Sequence, residues 1–143
     1  MKTNPLCILI ISAMFLITAC QSDTEQTAET AIESTLGLLQ HNVYFYFNED
    51  VSADEKARFE EGLFELLSID EVYRYEIGVP GSTEDRDVTD HTFGYSFFSW
   101  FLTMEDYEIY ADHPIHLEFI DEFNHLWAGV KVYDSEIIGE SGL

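Results

Sequence analysis

A chain of 143 residues has room for one ordinary domain, and 46% hydrophobic with 15% aromatic residues is enough to fill its core, which excludes disorder over most of its length. The charge balance excludes more: 28 Asp and Glu against 6 Lys and Arg leave a net charge of −22. So negative a surface repels phosphate backbones and anionic headgroups, and nucleic acid is not an expected partner.

Lys2 precedes an apolar run from Leu6 to Ile17 broken only by Ser12. It is shorter than the about 20 residues a membrane-spanning helix needs, and reads as the core of a signal peptide. Leu16-Ile17-Thr18-Ala19-Cys20 resembles the lipobox of bacterial lipoproteins, which implies cleavage before Cys20 and lipid on its sulfur. Two or more acyl chains anchor firmly where one is marginal. Gln21, in place of an aspartate, implies sorting to the outer membrane, facing the periplasm. Cys7 leaves with the leader, so the folded part has no thiol for a disulfide or a metal. The expected organisation is a signal peptide over 1–19, a lipidated cysteine and polar tether over 20–39, a folded domain over 40–136 and a tail over 137–143. Ile32, Leu36 and Leu39 give the end of the tether a weak helical pattern.

The domain opens with strict alternation, His41, Val43, Phe45 and Phe47 against Asn42, Tyr44 and Tyr46, a strand with apolar or aromatic side chains on both faces. Ser52-Ala-Asp-Glu55 is a capping box, and Phe59, Leu63, Leu66 and Leu67 place one apolar stripe on the helix that follows to about Ser68. Val72–Val79 is a second strand, ended by Pro80-Gly81, and Thr83–Thr89 is a polar loop, best read as a long hairpin connection. His91–Phe101 alternates again, with His91, Phe93, Tyr95, Phe97 and Phe101 on one face and Phe98 and Trp100 on the other. Thr103 caps a short helix in which Met104, Tyr107 and Tyr110 face inward. Pro114 starts the next helix, whose stripe runs His116, Phe119, Ile120, Phe123 and Trp127. Val130, Val132 and Asp134 belong to a closing strand.

The order βαββααβ predicts an α+β, ferredoxin-like fold: four antiparallel strands with helices on one face. Tyr44, Tyr46, Phe98 and Trp100 would then form a bare aromatic patch on the other face, larger than a soluble monomer usually leaves exposed. Sheet-to-sheet homodimerisation into an α/β barrel is the expected remedy.

His41-x-Val43-x-Phe45, Gly78, His91-x-Phe93, Tyr110-x-x-His113-Pro114-x-His116, Trp127 and Val130-x-Val132-x-Asp134 together resemble the stress-responsive A/B barrel (Dabb) family over His41 to Asp134. The resemblance implies a homodimeric barrel and says less about chemistry. One plant member, olivetolic acid cyclase, closes a polyketide ring by aldol condensation. Its tyrosine and histidine acid/base pair would fall on Tyr110 and His116, and its other pocket histidines on His41 and His91.

From the residues themselves, a buried His116 is biased toward the neutral base and the Tyr110 phenol suits a carbonyl or enolate oxygen. By strand parity His41, His91 and Phe93 point to the same side, with Trp127. The alternative is that His116 locks the helix junction by a hydrogen bond to Tyr110 or to a strand carbonyl. His113-x-x-His116 has ligand spacing, with Glu118, Asp121 and Glu122 nearby, but Pro114 aims the two rings apart, so no metal site is expected and His113 reads as a helix cap. No phosphate loop, dinucleotide motif or serine-nucleophile motif is present, and no cofactor is expected. A binding or structural module ranks ahead of a cofactor-free cyclase or lyase. An open cavity beside His116, able to take a small hydrophobic ligand, would favour ligand chemistry; packing by Phe93, Phe97, Phe119 and Trp127 would favour a structural role.

Overall fold

The structure, a computed structural model, describes residues 34–141. The expected leader, Cys20 and the expected tether up to residue 33 lie outside the described residues. Strand β1 (Leu39–Phe47) leads into helix α1 (Ala53–Leu66), strands β2 (Arg74–Gly78) and β3 (Tyr95–Phe101), helices α2 (Met104–Asp112) and α3 (Pro114–Phe123), one 3-10 turn (Asn124–Leu126) and strand β4 (Trp127–Glu136). The sheet order is β2-β3-β1-β4 and every pairing is antiparallel, so the ferredoxin-like expectation holds.

Local chemistry accounts for the helix boundaries. The Ser52–Glu55 and Thr103–Asp106 boxes are both closed reciprocally, each side chain meeting the other residue's backbone N–H. The break between α2 and α3 belongs to Pro114, which drives the preceding residue out of the helical region: His113 sits at φ −65°, ψ 138°, and its Nδ1 accepts from the Ile115 N–H. Met104 differs from expectation. It begins the helix and is exposed, while Tyr110, nearly two turns on, is buried.

The core lies between the inner face of the sheet and the three helices. Val43 and Phe45 of β1 and Phe97 and Phe101 of β3 meet Phe59 and Leu63 of α1, Tyr110 of α2 and Phe119 and Phe123 of α3. Gly62 permits the α1–α3 approach, because a Cβ there would strike the ring of Phe123. Trp127 is not on the helical stripe as expected. It opens β4 opposite Phe47, and a register shift beside Tyr46 keeps it on the inner face.

The described amino-terminal edge is a fastened turn, and from Ser34 on the weak helical pattern does not form. Gly37 takes a left-handed φ of 79° and its N–H donates to the Ile137 carbonyl, while Glu140 accepts from Ser34 Oγ at 2.6 Å and from the Thr35 N–H at 2.7 Å. On the outer face Tyr44 packs edge-on against Phe93, Phe98 and Tyr133 around an open recess of about 660 Å³. Trp100 shares that face but is buried, with the Arg74 guanidinium over its ring.

Candidate functional site

The Pro114 break determines the site. It ends α2 two residues beyond Tyr110 and starts α3 two residues before His116, folding the two rings to 4.8 Å between centroids. His116 Nδ1 lies 2.8 Å from the Ala111 carbonyl, one of the oxygens that the end of α2 leaves without a helical partner. A carbonyl only accepts, so Nδ1 carries a proton and Nε2 is the nitrogen left for other partners. The locking bond goes to a main-chain carbonyl of α2 and not to Tyr110 or a strand carbonyl, the two partners expected, and it leaves the second nitrogen for chemistry.

Tyr110 is 1% exposed, and its hydroxyl is buried without a hydrogen-bond partner among the described residues. Burial pushes its ionisation far above the ordinary phenol range, with a smaller contribution from Tyr107. At neutral pH it is a donor and not a base.

β1 and β4 run antiparallel with His41 directly opposite Asp134, and His41 Nδ1 meets Asp134 Oδ1 at 2.6 Å. Asp134, quoted in the sequence only as the end of a strand, thus holds the orientation of a buried histidine. The signal was there: inward-facing residues of two adjacent strands, one acidic and one basic. Burial lowers the His41 pKa; the hydrogen bond and charge of Asp134 oppose the shift, and His116 adds to it. His41 is therefore neutral at pH 7, donating from Nδ1 and accepting at Nε2.

A cavity of about 310 Å³ lies among these groups. His41, Tyr110, His116, Phe97, Phe119 and Trp127 line it, and its rim is apolar, with Ile120, Val130 and Val132 more than a third exposed. Three of the four aromatics anticipated as a plug, Phe97, Phe119 and Trp127, form its walls. Trp127 contributes its ring, while its Nε1 is a second buried donor without a partner among the described residues.

His91 and Phe93 do not join this cavity, and the parity expectation for them is corrected. The regular strand begins only at Tyr95, because Gly94 donates its N–H to the Phe45 carbonyl and lies so close to Phe47 that a Cβ would enter the ring. Before that point the chain leaves the sheet. His91 sits in the loop, its Nε2 2.9 Å from Thr83 Oγ1 and its Nδ1 3.3 Å from Asp85, and Phe93 packs on the outer face against Tyr44. Among the described residues no cluster of three or more His, Cys, Asp or Glu has the arrangement of a metal site.

The fold is shared with solved structures of low sequence identity. A dimeric ferredoxin-like protein of unknown function from Thermobifida fusca has 17% identity and a TM-score of 0.60, over 74% of this chain and 96% of that one. An Arabidopsis thaliana protein has 25% identity and 0.61, over 72% and 98%. The hydroxynitrile lyase of Passiflora edulis has 20% and 0.62, over 77% and 100%. No curated protein matches the sequence. The family profile described as Stress responsive A/B Barrel Domain matches residues 39–137, from the first residue of β1 to just beyond the last of β4, and the chain belongs to that family, Dabb.

Proposed function

We propose that this protein is a lipid-anchored, homodimeric Dabb protein of the cell envelope that binds small, largely apolar molecules in the cavity beside His116. The observation that carries this reading is the cavity itself. Seven phenylalanines and a tryptophan belong to the packed core or border it, yet about 310 Å³ remains unfilled where Tyr110, His116 and His41 meet. That volume is at the lower end of small-molecule sites, and its few polar groups converge as such sites require. Dimerisation is supported by the aromatic outer face and by neighbours described as dimeric.

Native mass spectrometry of residues 21–143 from the native host tests the pocket. We expect a dimer carrying extra mass, with the adduct lost in His116→Ala and reduced at least about tenfold in Tyr110→Phe. Because the Tyr110 hydroxyl has no partner among the described residues, the phenylalanine variant should melt no lower than wild type, which separates loss of binding from loss of fold. A bare wild-type dimer would return the domain to a structural role. Anchoring is tested separately: Cys20→Ser should move the protein from the membrane pellet to the soluble envelope fraction, and an unchanged pellet would sink the lipoprotein reading.

A second reading is favoured by the two histidines. Each has Nδ1 committed to an acceptor, leaving Nε2 basic beside a phenol that stays protonated. In a cyclase or lyase, His116 would take a proton from carbon and Tyr110 would hold the oxygen on which charge develops. Hydrogen–deuterium exchange at the carbon next to a bound ketone, absent in His116→Ala, would support it; no exchange above buffer would leave binding alone.

A further inference from the structure

The cavity has no cation. Its lining includes neither Lys nor Arg, and every Lys and Arg among the described residues is engaged elsewhere. Lys56 lies over Phe47, Arg58 pairs with Glu122, Arg74 lies over Trp100 and bonds Glu76, Arg86 reaches Thr89, and Lys131 lies over Tyr46 on the outer face, near Asp90. What charge the site does have is negative. Asp134, about half exposed, bonds the buried wall residue His41.

We propose that the cavity selects uncharged, ring-sized ligands bearing one hydrogen-bonding oxygen and rejects carboxylates, with Asp134 as the charge that enforces the choice. This deepens the pocket reading above and rests on it. An anion entering an apolar chamber loses its hydration and must find a partner there. His41 is the nearest prospect, and Asp134 already holds the proton that an anion would need, while burial disfavours a second. A neutral carbonyl or hydroxyl requires only one donor or one acceptor. Tyr110 Oη and Trp127 Nε1 are buried donors without a partner among the described residues, and the histidine Nε2 atoms are acceptors. The net charge of −22 repels anions before they reach the rim.

The test uses two near-isosteric probes, 4-methylbenzamide and 4-methylbenzoate, titrated calorimetrically at pH 7 into the full chain in non-ionic detergent, with detergent alone as blank. The amide should bind at least about tenfold more tightly than the carboxylate. Asp134→Asn, which keeps an acceptor for His41 and removes the charge, should narrow that gap at least about threefold by improving carboxylate binding, with the amide little changed. Equal binding of both probes to wild type would overturn charge selection while leaving the pocket standing. Binding of neither would overturn the ligand class, and if the native protein also carries no adduct it would overturn the pocket as well. A gap unaltered in the asparagine variant would overturn the role of Asp134.

Discussion

Phe59→Ala is expected to destabilise the protein by about 3–5 kcal/mol, enough to leave a marginal domain partly unfolded. Phe59 is fully buried, and its ring meets six others: Phe45 and Phe47 at 5.0 Å between centroids, Phe119 and Phe123 at 5.4 Å, Tyr95 at 5.7 Å and Trp127 at 6.4 Å. Those partners come from both central strands, from α3 and from β4, so the void cannot close without moving several elements at once. Phe45, Phe119 and Trp127 are also walls of the cavity, and Phe59 stands behind them. Urea unfolding measures the cost. A loss under about 1 kcal/mol would mean that the core repacks freely, and the cavity could then no longer be regarded as a shaped site.

Tyr44→Asp should weaken self-association by at least about 100-fold, because it sets a carboxylate and its symmetry mate at the centre of a desolvated interface. Tyr44 is the hub of the outer face, in edge contact with Phe93, Phe98 and Tyr133, and is only half-buried within one protomer. A net charge of −22 disfavours contact between copies over other surfaces. Sedimentation velocity would read the shift from dimer to monomer, with far-UV circular dichroism showing an intact fold. A dimer unchanged by the substitution would place the association on another surface.

Local rules account for what was legible in the sequence. The alternation in β1, the two capping boxes and the His113-Pro114 junction each rest on geometry within a few residues, and the structure follows them. The Tyr110–His116 pairing was legible for the same reason, since one proline positions both rings. His91 and Phe93 were misplaced because parity assumes an unbroken strand, whereas Gly94 is drawn against Phe47, a residue 47 positions earlier in the chain. Trp127 continued the helical spacing of α3 until a 3-10 turn re-aimed it. The cavity was beyond reach by any such rule. Its volume depends on how far α3 stands from β4, which is settled by how the rings of four elements stack and not by the spacing of any one of them.

The tie between Ser34, Thr35 and Glu140 bears on how the fold can be rewired. The two ends of the domain meet through hydrogen bonds, at a distance a very short peptide could bridge. The polar stretch around residues 82–90 lies outside every helix and strand. A circular permutant joined at residues 34 and 140 and opened in that stretch would keep each strand pairing and all the walls of the cavity, so the connectivity of this barrel half is separable from its shape.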